Sequence, residues 1–253
     1  MIVVKKVVLG ILLYLLFMLV LFPARLALGL APLPKDVSVE GVSGSLWQGE
    51  ASSVAFQGRQ VDQVRWSLSP WALLLGSTNL ELQVGNRRSA VTANGNLSLS
   101  MSGVGAHNFK VSAPHDFLIG NRRLPFGAEV RGNLELYLAN FKQGSPWCEQ
   151  LTGKLNIQGA GLKNQFGEYD LGNMGFGLGC TEGRILLKAD EKDNQLGLVG
   201  TLELQADNKL LVKAKIRETD FQNDDMKKAL AFLGRKDAEG YYPLEYQGKI
   251  PGL

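Results

Sequence analysis

The stretch "LGLVGTLELQA", residues 196–206, decides the fold class. Leu202 and Leu204 alternate with Thr201 and Glu203, the period of two that belongs to a strand with one apolar and one wet face. The same alternation continues downstream in "LLVKAKI" (210–216). Upstream it recurs in "ILLKA" (185–189), "LNIQ" (155–158), "LELYL" (134–138), "LSLSMS" (97–102), "LELQV" (80–84), "VDQVRWSL" (61–68) and "VSVEGV" (37–42). Strands of this kind build antiparallel sheets that pack one face and hydrate the other. The 30 glycines in 253 residues point the same way, because glycine weakens helix interiors and serves turns, bulges and close backbone approach. The expected fold is mainly β: a long, curled antiparallel sheet with one or two short helices.

A small motif recurs in these strands. Gly95-Asn96-Leu97, Gly132-Asn133-Leu134, Gly153-Lys154-Leu155 and Gly200-Thr201-Leu202 each continue as Leu-x-Leu or Leu-x-Ile, so the glycine reads as the start of a strand. The copies are unevenly spaced, which argues against a strict solenoid. "GSLW" (44–47) is a degenerate fifth copy; as a strand start it would set Leu46 and Trp47 on opposite faces. Gly44, Leu46, Trp47, Trp66 and Trp71 are the candidate structural or contact anchors. In "MGFGLGC" (174–180), Gly175, Gly177 and Gly179 alternate with Phe176 and Leu178, which makes a strand with a bare face. Another strand or backbone packed over that face is expected, with ligand contact as the alternative.

Two helices carry start and stop signals. "SPWALLLGS" has Ser69 as cap, Pro70 at the first helical position and Gly76 past the end, and carries Trp71, Leu74 and Leu75 as a plug over a sheet edge. "NDDMKKALAFLG" begins at Asn223 or Asp224, aligns Met226, Leu230 and Leu233, and stops at Gly234. The closing strand "YYPLEYQGKI" has Tyr242, Leu244, Tyr246 and Ile250 in phase; Pro243 cannot donate to a ladder and assigns it to an edge.

At the N-terminus, residues 7–24 are free of charge and long enough to cross a hydrocarbon core as a helix. Lys5 and Lys6 precede them against Arg25 alone beyond, which retains residues 1–6 in the cytoplasm. Residues 25–35 then read as a linker and 36–253 as a β-rich domain folded outside the cytoplasm. A cleaved signal peptide is the alternative, with Ala27-Leu28-Gly29 as its site. Outside the cytoplasm, the sole cysteine pair, Cys148 and Cys180, is expected to be a disulfide.

Little points to catalysis. The chain has no G-x-S-x-G elbow and no phosphate loop, and its carboxylates are scattered. His107 and His115, the only histidines, read as residues of a solvated loop around Pro114 and Asp116. A net charge of +3, without a basic run interleaved with aromatics, gives no footprint for nucleic acid. "NRR" at 86–88 and again at 121–123 reads as a solvated turn. No enzyme, cofactor or metal is expected.

"LFPARLALGLAPLP", "VSGSLWQGEA", "VRWSLSPWALLLG", "PWCEQLTGKLNIQGA" and "ALAFLGRKDAEGYYPLEYQGKI", in that order, resemble the type II (general) secretion pathway protein N family. The resemblance runs over essentially the whole chain. It implies a non-enzymatic, single-pass inner-membrane accessory of type II secretion, with the bulk of the chain in the periplasm. Its partners would be other secretion components, on the inner-membrane platform or the outer-membrane secretin side. "VSGSLWQG" and the W-x-L-x-P-x-x-L pattern from Trp66 to Leu73 also resemble AsmA and TamB envelope proteins. That likeness implies the alternative role of handling or shielding lipid on an apolar concave sheet.

Overall fold

In the computed structural model, residues 2–30, 34, 36–70, 76–100, 103–120, 127–165 and 167–249 are described. Helix α1 (Ile2–Val20) is followed by α2 (Ala24–Leu30). The apolar run 7–24 is thus divided. Pro23 has no N–H to donate and makes an isolated antiparallel bridge with Ser45 instead of extending the helix. Between Val4 and Leu21 the side chains of α1 and the residue after it are exposed all round. Nineteen residues rise about 28 Å. Among the described residues, no helix is long and apolar enough to cross a membrane.

Beyond α2 the chain is a meander. Its first half comprises β1 (Val37–Glu40), β2 (Ser43–Gly44), β3 (Gln48–Phe56), β4 (Arg59–Leu68), β5 (Ser77–Val84), β6 (Thr92–Ser100) and β7 (Gly103–Pro114). After a short helix, α3 (His115–Ile119), come β8 (Glu129–Gln143), β9 (Cys148–Asn164), β10 (Gly167–Thr181), β11 (Arg184–Asn194), β12 (Leu198–Leu204) and β13 (Lys209–Ile216). Helix α4 (Asp224–Leu230) and β14 (Tyr242–Lys249) close the chain. All fourteen strands form one antiparallel sheet in sequence order, except that β2 pairs only with β3. β1 and β14 lie at opposite ends, so the sheet is open. Pro243 sits on the edge strand, as its missing N–H requires.

Register explains the faces. Leu136, Leu155, Phe176, Ala189, Gly200 and Ala214 stand opposite one another from β8 to β13, and the alternate positions form a polar line on the other face. Two clusters of buried residues lie at the two ends of the sheet, and smaller residues such as Ala93, Ala106, Ala113 and Ala160 are buried singly between them. At one end Ala24, Val42 and Ala51 pack with Leu28, Val64 and Trp66. At the other, Leu196, Ile216, Leu230 and Tyr242 pack with Leu171 and Met226. Asn223 caps α4 by accepting from the Met226 N–H at 2.8 Å, and Gly234 ends the following 3₁₀ turn with φ 127°. Between these ends Leu134, Leu136 and Leu138 of β8 and Leu155 of β9 are only half-buried, while Leu151 is buried. The accessible surface is 16877 Å², against about 11,000 Å² for a compact monomer of this mass. Among the described residues, α1 is exposed all round and no second layer covers the inner face, which accounts for the excess.

Several sequence expectations need correction. The motif glycines do not start strands. Gly95 is the fourth residue of β6, Gly132 the fourth of β8, Gly153 the sixth of β9 and Gly200 the third of β12. Gly95, Gly153 and Gly200 occur where a neighbouring strand approaches too closely for a side chain: an added Cβ would lie 2.5 Å from the Phe109 Cα, 2.3 Å from the Tyr137 carbonyl oxygen and 2.4 Å from the Ala214 Cα, respectively. At Gly132 the nearest atom is the Ile157 Cγ2 at 3.2 Å. His107 is in β7 rather than a loop, and His115 opens α3. The helix expected in "SPWALLLGS" and its Trp71 fall on residues 71–75, outside those described, as do Ile250 and the second "NRR".

Candidate functional site

The opening "GSLW" motif builds a junction. Ser43 pairs with Glu50 and Gly44 with Gly49, so residues 45–48 are the loop of a hairpin, not the start of a strand. Leu46 and Trp47 therefore do not alternate across the sheet; both are half-buried in this loop. Gly44 has φ 84° and would place a Cβ 2.5 Å from the Gln48 carbonyl oxygen, so only glycine fits. The Ser45 N–H donates to that same carbonyl at 2.8 Å and closes the loop.

Three contacts join this region to α1, to α2 and to the segment between them. The Trp47 indole Nε1–H donates to the Leu19 carbonyl at 2.9 Å. The Leu46 N–H donates to the Phe22 carbonyl at 2.9 Å, and Arg25 Nε donates to the Val42 carbonyl at 2.8 Å. Leu19 lies in the last turn of α1, where carbonyls lack the full set of intrahelical donors; its carbonyl accepts from the Phe22 N–H at 3.4 Å, and the indole adds a second, shorter bond. Trp66 of β4 completes the junction by donating from Nε1 to the Leu46 carbonyl at 3.1 Å. Its ring covers Gly49, where any Cβ would meet it. Sequence singled out four of these residues but missed their acceptors, because a helix-end carbonyl has no side-chain signature.

Trp47→Phe keeps most of the apolar area and removes the indole donor. The expected cost is about 1 kcal/mol, below the roughly 3–5 kcal/mol of truncating a core aromatic to alanine. Thermal melting with amide exchange over residues 17–22 checks this. Unchanged exchange at those amides would show that the indole does not hold the helix end.

At the other end of the sheet, a groove of about 830 Å³ opens under α4. Leu162, Tyr169, Leu171, Ile216, Met226 and Leu244 line it, so β9 and β10 face β13 and β14 across it and the sheet curls toward its apolar side. Phe232, at its rim, is 91% exposed. Cys148 and Cys180 are disulfide-bonded and tie the open end of the β9–β10 hairpin.

Catalytic geometry does not assemble. His107 Nδ1 lies 2.7 Å from Asn140 Oδ1, and His115 Nδ1 lies 3.3 Å from the Gly132 carbonyl. Among the described residues no three His, Cys, Asp or Glu side chains converge as metal ligands. The perturbed groups are ion-paired instead. Backbone N–H groups of Tyr241 and Glu239 and the nearby Lys215 hold the Asp237 carboxyl below its ordinary range. Lys236 and the Tyr242 hydroxyl do the same for Glu218. Carboxyls depressed in the folded state stabilise it above their unfolded pKa, and that contribution is lost as pH falls through the folded value. Protection of the Glu239 and Tyr241 amides should therefore drop below the usual carboxylate range. Protection that persists in strong acid would contradict the assignment.

A family model for the type II secretion system (T2SS), protein N, matches residues 35–245. The chain belongs to the type II secretion system protein N family. The protein of that name from Aeromonas hydrophila is 33% identical over 240 residues, 94% of each chain. Its counterpart from Vibrio cholerae serotype O1 is 32% identical over 230 residues, 90% of this chain and 91% of the relative. Another from Pectobacterium carotovorum is 24% identical over 239 residues. No solved structure matches. Membership in the protein N family makes the chain a component of type II protein secretion.

Proposed function

We propose that this protein N is a non-enzymatic accessory held in the inner membrane by its N-terminal helix, with residues 36–253 in the periplasm and its apolar inner face open to an apolar segment of another secretion component. The observation that carries the reading is the pairing of an inner face left uncovered by the described residues with a helix exposed on all sides. Lys5 and Lys6 before that helix favour a cytoplasmic start. The disulfide fits an oxidising compartment. Gly44, Leu46, Trp47 and Trp66 act in this reading as the anchor joining helix to sheet. Retention of the N-terminus tests it: N-terminal sequencing of the mature protein should start at or next to Met1. A start near Leu30 would mean a cleaved, soluble protein.

A second reading is favoured by the groove under α4, whose size and leucine-rich lining suit a lipid tail. In this reading the protein shields lipid, as its resemblance to AsmA implies. Mass spectrometry after gentle extraction separates the two. A stoichiometric lipid that is lost on Met226→Asp supports shielding, whereas lipid-free protein that still copurifies with secretion components supports the partner reading.

A further inference from the structure

The polar face of the sheet carries a line of lysines that the secretion reading does not use. Lys110, Lys154, Lys188 and Lys213 occupy β7, β9, β11 and β13, one on every second strand. Register places them on a single line across the sheet, with Tyr137, Gly177 and Thr201 directly between them. All four lysines are exposed. Lys110 lies over the Tyr137 ring, 5.5 Å from its centroid. The other three have no carboxylate within ion-pair distance among the described residues. Glu245 stands opposite Lys213 at the free edge, and Glu135, Asp190 and Glu203 lie two residues off the line on β8, β11 and β12.

The middle of this line is bare. A Cβ added at Gly177 would meet nothing closer than the Lys188 carbonyl oxygen at 4.0 Å, and one at Gly179 nothing within 4 Å. The packing partner expected over these glycines is thus absent among the described residues. Gly175 alone is accounted for, by the Asp193 carbonyl 3.0 Å away. Glycine within a strand weakens it and marks places where another backbone comes close. Among the described residues no backbone comes that close, so the strip is open to one from another molecule.

We infer that this line is a docking site for an extended acidic segment of a protein partner, laid across the strands with its backbone crossing β10 at Gly177. Strands lie about 4.8 Å apart, so successive lysines are about 9.6 Å apart and the four span about 29 Å. A polyproline-II segment has three residues per turn and rises about 3.1 Å per residue, so every third side chain returns to one side after about 9.3 Å. Carboxylates at every third position would meet the lysines in step. Glu135, Asp190 and Glu203 flank the line two residues away, so a flat layer of anionic headgroups wide enough to cover them is repelled, which is why a single extended peptide fits better than a bilayer. The inference concerns the face opposite the apolar one and stands or falls separately from the occupant of the groove.

The test uses the full chain in detergent micelles and a labelled synthetic peptide of about a dozen residues with glutamate at every third position. Binding to the parent should weaken sharply from about 0.1 M to about 1 M salt, as the screening length falls from about 10 to about 3 Å. Lys154→Glu with Lys188→Glu should weaken binding by more than about tenfold at the lower salt. Lys192→Glu with Lys209→Glu changes net charge equally off the line and should leave binding near the parent's. Gly177→Val should melt like the parent yet bind less. Failure of the parent to bind, equal loss in both double variants, or full displacement of the peptide by anionic phospholipid vesicles would overturn the inference.

Discussion

Gly200→Val should unfold the β-sheet about 4 kcal/mol more easily than the parent, the sum of about 1–3 kcal/mol of backbone strain and about 1–3 kcal/mol of overpacking. Gly200 has φ 148°, where a β-branched residue is strained, and its Cβ would lie 2.4 Å from both the Ala214 Cα and the Lys213 carbonyl oxygen. Neither atom can yield without displacing β13. That strand carries Ile216 of the buried end cluster and pairs with the edge strand β14, so the disturbance reaches the only well-packed core at that end. Gly177→Val is the control. It sits two strands away on the opposite face, in open space and without a positive φ, so its effect should stay within about 0.5 kcal/mol. Thermal or denaturant melting of both variants decides the matter. Equal melting would mean that the recurrent Gly-x-Leu-x-Leu motif is not where strands press together.

Removing the disulfide is the second large effect. Replacing Cys148 and Cys180 together by alanine should destabilise the domain by about 3–4 kcal/mol, since the bond closes a loop with a sequence separation of 32. For a chain of this length that is a drop in melting temperature of about 10 °C. Cys148 is 1% exposed, and it is the largest side chain fully buried in a sheet with little other core. Single replacement of Cys148 should therefore do at least as much harm as the double variant, because it leaves the Cys180 thiol exposed to mispairing and opens the packed end of β9. A double variant that melts with the parent would show that register alone holds the β9–β10 hairpin.

The sequence by itself determined whatever depends on neighbours along the chain. Alternation in "LGLVGTLELQA" set strand and face, Asn223 set the start of α4, and Pro243 set an edge, because each acts over one turn or one pleat. A single cysteine pair left one possible bond. What the tertiary structure decided depends on register, a relation between residues far apart in sequence. Pairing of Gly44 with Gly49 turned "GSLW" into a hairpin loop and brought Trp47 to the end of α1. Weak alternation hid β7, whose Asn108 has φ 48° beside a register shift, so His107 read as a loop residue. Only the assembled sheet set four lysines from residues 110 to 213 on one line and left Gly177 uncovered between them. Each lysine is an ordinary polar position in its own strand; the line exists because antiparallel ladders held the same phase across neighbouring strands, which no one strand can specify.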